Sequence, residues 1–321
     1  MDPSTGPGGQ ANDGASAWER DALRSLVQDF VRERRAARRW RWLKALLWLL
    51  VAGAVAYGVW RSTRHAEPAI GPHTAMVVID GEIQSGGAAS ADTIIQALAD
   101  AFDAPEAQGV VLLINSPGGS PVQAGLINDE IWRLKTQTQK PVVAVIEDMG
   151  TSAAYYIAAA ADDIYVDKAS IVGSIGVLMD GFGFTDLMEA VGVERRLLTA
   201  GKNKGFLDPF SPASPQQQAH AKAMLAEIHQ QFIDTVRKGR GERLRETPDT
   251  FSGLFWTGAR AVDLGLADGL GSLDSVAREV IKAEDIVDYT VREDLPERLV
   301  RQLGASAGAA VTRAFSSWTL R

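Results

Sequence analysis

The chain has no cysteine among its 321 residues, which excludes a disulfide framework and any thiolate-held metal. Histidine is nearly as scarce. The four are His65, His73, His220 and His229, and none falls where a predicted strand reaches its carboxyl end. A Ser-His-Asp triad is therefore left without a base. No internal repeat occurs, so solenoid and propeller architectures drop out. Long apolar runs are also rare, with one exception near the N-terminus. The formal charge of −7 is unevenly spread, because residues 1–65 hold 11 Arg and Lys against 6 Asp and Glu. The acidic remainder argues against nucleic acid as a partner.

The exception is Ala45–Trp60, uninterrupted by charge and extended to Leu43 if Lys44 snorkels towards headgroups. Residues 43–60 are read as an uncleaved transmembrane signal anchor. Arg32, Arg34, Arg35, Arg38, Arg39 and Arg41 precede it, and only Arg61 and Arg64 closely follow. That asymmetry places residues 1–42 in the cytoplasm and the rest outside. Trp40, Trp42 and Trp60 stand where interfacial aromatic anchors belong. No A-x-A cleavage pattern follows the run, which disfavours a removed leader. Within the cytoplasmic tail, Trp18, Ala22, Leu26 and Phe30 form an apolar stripe at helical spacing with a charged opposite face. Residues 61–74, with Pro68, Gly71 and Pro72, read as a linker, and 293–321 as a C-terminal helical extension.

Residues 75–292 alternate strand and helix patterns, which implies a mostly parallel sheet covered by helices. Strands are expected at Met76–Ile83, Gly109–Ile114, 141–146, Ile164–Val166, Arg196–Leu198 and Ile286–Val291. Helices are expected over Asp92–Phe102, Val122–Leu134, Ala153–Ala161 and Gly258–Leu264, and again from Ser272. Ser214 followed by Pro215 predicts an N-cap opening a long helix to about Lys238, ended by Gly239 and Gly241.

Two segments carry candidate chemistry. In Asp148-Met-Gly-Thr-Ser152-Ala-Ala-Tyr-Tyr156 a serine stands between a buried strand and a small-residue helix. Such a corner presents a hydroxyl at the carboxyl edge of a sheet, beside the free N–H groups of a helix start. In Asn115-Ser-Pro-Gly-Gly119 two glycines allow close backbone approach, with N–H groups available to an oxyanion. Alone, Pro-Gly-Gly is a turn; one βα unit before the serine corner it gains weight. If Ser152 is a nucleophile, its base must be something other than histidine. Asp162 and Asp163 read as a solvated helix end. Among lysines, Lys168, Lys202 and Lys204 each read singly as a solvated charge. Lys204 nevertheless lies in a Gly-flanked loop, and a lysine acts as a base once burial and polar neighbours keep its amine neutral. Gly173-Ser174-Ile-Gly176 is a turn whose hydroxyl could hold such an amine.

Together these motifs resemble the signal peptide peptidase A family of Ser-Lys dyad serine peptidases. The resemblance runs from Ala75 to Val291 and includes the N-terminal anchor. It rests on Asn115–Gly119, on Ser152 before Tyr155-Tyr156, on Val172–Val177, on Ala200-Gly201 through Lys204, and on Trp256-Thr-Gly258 with Leu264–Asp268. It implies an α/β fold of the crotonase/Clp-protease type, with Ser152 as nucleophile and Lys204 as general base. It further implies Ser174 as the hydrogen-bond partner of the lysine, and Gly118 or Gly119 with Ala153 as the oxyanion hole. No metal or cofactor is expected. The implied reaction is hydrolysis of apolar peptides, such as residual signal peptides, through an acyl-enzyme. The implied setting is the bacterial inner membrane, single-pass, with the peptidase domain periplasmic. The length is similar to the family's short form, a homo-oligomeric ring, taken as an octamer, in which neighbours share serine and lysine. One departure is Ala153-Ala154, where the family often has Gly-Gly; its methyls would narrow the adjacent pocket. Two other readings remain open: a catalytically silent membrane scaffold on the same fold, and a crotonase-like enzyme acting on acyl-CoA, which would need a CoA loop and acid/base carboxylates.

Overall fold

The computed structural model describes residues 42–57 and 71–292. The chain divides into two units between His65 and Ala66. In the first, residues 42–57 form one helix, α1, whose side chains are exposed along its whole length. Among the described residues no helix is long and apolar enough to cross a membrane. The expected anchor therefore overlaps α1 as far as residue 57. The basic amphipathic helix, most of the linker and the C-terminal extension lie outside the described residues.

The second unit is an α/β sheet. Its elements are β1 (His73–Asp80), α2 (Ala91–Asp103), β2 (Ala107–Ser116), α3 (Pro121–Thr138), β3 (Val142–Thr151), α4 (Ala153–Ala158), β4 (Asp163–Val166) and β5 (Ile171–Gly173). There follow α5 (Thr185–Ala190), α6 (Pro215–Arg240), β6 (Phe255–Thr257), α7 (Gly258–Asp263), β7 (Gly269–Leu270), α8 (Leu273–Ser275) and β8 (Ile286–Asp288). The strand order is β6-β5-β3-β2-β1-β8, with β4 between β3 and β7. Only β5–β6 is antiparallel.

The central strands are apolar on both sides, as parallel strands must be when helices cover both faces. Val110, Leu112, Ile114, Val142, Ala144 and Ile146 join the main core with α2, α3 and α4, whereas Val111, Val143 and Val145 join a smaller cluster under the π-turn Val276–Ile281. Helix starts follow local chemistry. The Ser90 and Ser120 hydroxyls accept from the N–H groups of Thr93 and Gln123, and Pro121 opens α3.

Strand β3 forks the sheet. Its lower half pairs with β4 from Val143 to Ile146, and its tip pairs with β5 from Met149 to Thr151. The break falls at Glu147 and Asp148. At the tip, a Cβ on Gly150 would come within 2.7 Å of the Ile146 side chain, so the bend requires glycine there. The fork carries the strand end out of the main sheet and aims it at β5.

Several boundaries differ from expectation. The linker ends early, because His73 and Thr74 already belong to β1 and are buried. The His73 ring bonds the Gly71 carbonyl and the Tyr289 hydroxyl, and the Thr74 hydroxyl donates to the Ala283 carbonyl at 2.7 Å. Ile83 is an isolated bridge to Gly119 and lies beyond the end of β1. Arg196–Leu198 is not a strand; it lies in an irregular exposed segment. Ser214 precedes α6 but its side chain makes no capping bond. Gly239 does not end α6. It sits inside the helix, where an added Cβ would come within 1.8 Å of the Ala159 carbonyl. Glycine there allows α6 to lie against the end of α4.

Candidate active site

Ser152 occupies the one-residue corner between β3 and α4, with φ 55° and ψ −124°. A side chain at positive φ costs about 1–3 kcal/mol and persists only where its surroundings fix it. Three contacts fix this corner. The Ser152 N–H donates to the Gly173 carbonyl at 2.8 Å, its carbonyl accepts from Tyr156 N–H at 3.0 Å, and the neighbouring Thr151 hydroxyl donates to the Pro117 carbonyl at 3.0 Å. The Ser152 hydroxyl makes no capping bond and the residue is partly exposed.

The Pro-Gly-Gly loop lies directly against this corner. A Cβ on Gly118 would stand 2.7 Å from the Ser152 Cβ and 2.9 Å from the Ala153 nitrogen. The loop is pinned by Ile83, whose N–H donates to the Gly118 carbonyl and whose carbonyl accepts from Ser120. The two glycines are not equivalent. The Gly118 N–H already donates to the Ser116 hydroxyl at 3.1 Å. No acceptor among the described residues takes the Gly119 N–H. The Ala153 N–H, at the start of α4, belongs to the set that helix geometry leaves unpaired.

Ser174 is the next residue after Gly173, which pairs with Thr151 in the β3–β5 register. The two candidate serines thus follow paired residues at the ends of adjacent strands. Ser174 also has a positive φ, 52°, and its N–H donates to the Leu254 carbonyl at 2.8 Å. The Trp256 indole lies over Gly173, 3.1 Å from where a Cβ would be, and the positive φ of 106° there favours glycine.

Lys204 is placed elsewhere. It lies in an exposed turn, held by its own N–H to the Gly201 carbonyl at 3.1 Å. Among the described residues no hydrogen bond or ion pair joins it to Ser152 or Ser174. The segment around it folds back where Phe184 bonds Pro209 and Arg195 pairs with Asp208, and it leans on α6 where Phe206 packs edge-on to His220. Much of that arm is apolar and open, with Leu198 96%, Leu178 82% and Phe182 80% exposed.

No histidine among the described residues bonds Ser152. His229 bonds the Ile175 carbonyl at 3.1 Å, and His73 is committed to β1. The acids near α4 are structural. Asp162 accepts from Val142 N–H and pairs with Lys135. Asp268 receives the wholly buried Arg240 guanidinium through two 2.8 Å bonds. Burial alone would raise the Asp268 carboxyl, but Arg240 and Arg243 hold it below the ordinary aspartate range. Burial pushes the Tyr155 phenol far up, and its hydroxyl donates to the Leu266 carbonyl. The segment Leu264–Asp268 therefore locks α4 to α6 and supplies no chemistry of its own. Three groups near the corner escape sequence reading: the Ser116 hydroxyl and the carbonyls of Gly173 and Leu254. Only Ser116, two residues before Gly118, left a signal in the sequence.

Residues 134–287 match peptidase family S49. The match covers just under half of the chain. The matched span holds Ser152, Ser174 and Lys204, and begins after the Pro-Gly-Gly loop. Among relatives of this chain, the Na(+)/H(+) antiporter NhaA of Brucella abortus is 46% identical over 209 residues, 64% of this chain and 28% of that protein. A putative protease of Methanocaldococcus jannaschii is 31% identical over 58% of this chain and 61% of its own length. A putative signal peptide peptidase SppA of Enterococcus faecium is 27% identical over 58% of this chain and 54% of its own length. The chain thus spans less than two thirds of each of these relatives.

Proposed function

We propose that this chain is a membrane-anchored serine endopeptidase with Ser152 as nucleophile and Lys204 as general base. The observation that carries the reading is the Ser152 corner: a strained serine with an uncommitted hydroxyl, flanked by the unpaired N–H groups of Gly119 and Ala153. Two such donors suit the oxyanion of a tetrahedral intermediate. Gly119 is preferred to Gly118, whose N–H is taken by Ser116. The fold is read as crotonase/Clp-like, with the site at the carboxyl ends of strands.

In the first step the Ser152 Oγ attacks the peptide carbonyl while neutral Lys204 takes the hydroxyl proton. Collapse of the intermediate breaks the C–N bond, and the lysine returns that proton to the departing amine. Lys204 then takes a proton from water, which attacks the serine ester; the C–O bond breaks, the acid leaves, and the lysine returns that proton to the Ser152 Oγ. Ser174, next to the corner, would orient the amine.

Lys204 reaches Ser152 from a second copy of the chain in this reading. Support comes from the exposed Leu178, Phe182 and Leu198 of the arm around Lys204, since apolar patches of that kind mark interaction surfaces. A closed ring, taken as an octamer, satisfies such a head-to-tail contact. The anchor at 43–60 rests on the sequence, an apolar run preceded by an arginine cluster, which also puts the domain on the periplasmic side. Substrates are apolar peptides such as residual signal peptides.

The test is hydrolysis of a fluorogenic apolar peptide by membranes or detergent-solubilised full-length protein. Wild type should cleave, with a rate rising with pH as the lysine amine deprotonates, and Ser152→Ala and Lys204→Ala should both be inactive. Turnover retained in either variant contradicts the dyad. A folded wild type without turnover would favour the silent scaffold.

A further inference from the structure

The second unit carries a groove of about 750 Å³ that the serine corner does not use, since none of Ser152, Ser174, Gly118 or Gly119 lines it. It opens where three neighbouring parallel strands reach their carboxyl ends: β3 at Val145–Asp148, β4 at Val166 and β7 at Leu270. The fork lies at the same place, because β3 leaves β4 after Ile146 and joins β5 at Met149. Crevices beyond the carboxyl ends of such strands are the usual ligand sites of open α/β sheets. The volume falls within the ordinary range of ligand pockets.

Two properties select the occupant. The floor is apolar, because Leu113, Val145 and Leu273 belong to the smaller core cluster, whose outer side is open here, and Leu270 at the rim is 57% exposed. The rim is acidic. Glu147, Asp148, Asp167 and Asp274 are all exposed and meet one cation, Lys168. Among the described residues none of the four carboxylates is in an ion pair. Asp167 accepts from Ala169 N–H at 2.8 Å, which fixes its carboxylate at the rim. Arg278, the next cation to Asp274, is bonded to Glu279 at 2.9 Å. Like charges held together over an apolar floor favour a cationic ligand with apolar neighbours and repel one that carries phosphates, an acyl-CoA included.

We infer that this groove is a second binding site, which takes the basic end of an apolar peptide substrate. The inference rests on the peptidase reading above, since a signal peptide joins a cationic segment to an apolar one. Asp148 precedes Ser152 by four residues on the same strand, at most about 13 Å at about 3.3 Å per residue. An extended peptide of about four residues spans that length. Its lysine or arginine meets Asp167 and Asp274, and its apolar side chains cover Leu113 and Leu273.

Binding can be read without turnover. Fluorescein-labelled Lys-Lys-Leu-Leu-Ala-Leu and Glu-Glu-Leu-Leu-Ala-Leu are titrated with full-length Ser152→Ala protein in neutral detergent and followed by anisotropy. The lysine peptide should bind about tenfold more tightly, and Asp167→Asn/Asp274→Asn should remove that preference, as the loss of two ion pairs implies. Asparagine at 167 keeps an acceptor for Ala169 N–H, so the melting temperature should not move. Lys168→Glu, which makes the rim more acidic, should sharpen the preference. Equal affinity for the two peptides, or a preference that neither variant changes, would overturn the inference. With Ser152 intact, the double asparagine variant should raise KM for a lysine-tagged fluorogenic peptide about tenfold and leave kcat unchanged. A charge preference in a protein without turnover keeps the groove and removes the peptidase reading, and turnover without the preference does the reverse.

Discussion

At Ser152 the backbone holds a conformation that an L-residue avoids, and the cost is offset by bonds from both sides of the corner. The Gly173 carbonyl holds the serine N–H, and Pro117 receives the hydroxyl of Thr151. Gly118 fits because it has no Cβ to push on the serine. Gly118→Ala should therefore lower kcat/KM at least ~100-fold, the scale of a damaged oxyanion site, as a peptide-hydrolysis assay would show. The melting temperature should move less than in Gly119→Ala, whose Cβ would stand 2.2 Å from the Ile83 carbonyl. Equal thermal losses with equal activity would contradict this division of labour. The choice between the two glycines was closed to sequence reading, because it depends on where the Ser116 hydroxyl points once β2 has ended.

At the scale of elements, the packing of α4 against α6 and the 264–268 segment decides how firmly the corner is held. Gly239→Ala should gain about 1 kcal/mol of helix propensity and lose about 3 kcal/mol to overpacking on Ala159. The net should be destabilisation by about 2 kcal/mol in urea unfolding. Removing the carboxylate of Asp268 leaves Arg240 buried and unpaired, so Asp268→Asn should cost about 3–5 kcal/mol. Because the folded-state Asp268 titrates below the ordinary aspartate range, its contribution is fully present above that range and is lost as pH falls through its lowered value. Acid unfolding of the wild type should therefore contain a step that Asp268→Asn lacks. The alternation of strands and helices was legible because apolar runs of strand length were punctuated by glycine and proline. The tip of β3 was not, since Glu147 and Asp148 break the apolar run just where the strand forks. Arg196–Leu198 reads as strand by composition, yet a strand needs a paired neighbour and that segment has none among the described residues. The arrangement of Ser152 beside Ser174 was visible only as two turns, because their meeting depends on the β3–β5 register.

For the whole molecule, the open question the structure poses is the distance between the folded corner and the lysine arm. The proposed assembly has a second copy cover the arm's exposed apolar side chains. Phe182→Asp and Leu198→Asp should reduce assembly, measured by light scattering in detergent, and lower activity in parallel, while the fold of residues 71–292 stays intact by circular dichroism. Co-expression of Ser152→Ala with Lys204→Ala chains should restore part of the activity that each lacks alone, since mixed assemblies pair an intact serine with an intact lysine. No restoration would place serine and lysine within one chain. The identity of the nucleophile underlies all of these and can be read in a single measurement. Full-length protein is treated with a fluorophosphonate, digested with trypsin and mapped by mass spectrometry. The fragment spanning residues 136–168 contains Ser152 as its only serine. The adduct should fall on that fragment, at Ser152, and be absent from Ser152→Ala. Labelling of another serine, or equal labelling of Ser152→Ala, would contradict the account.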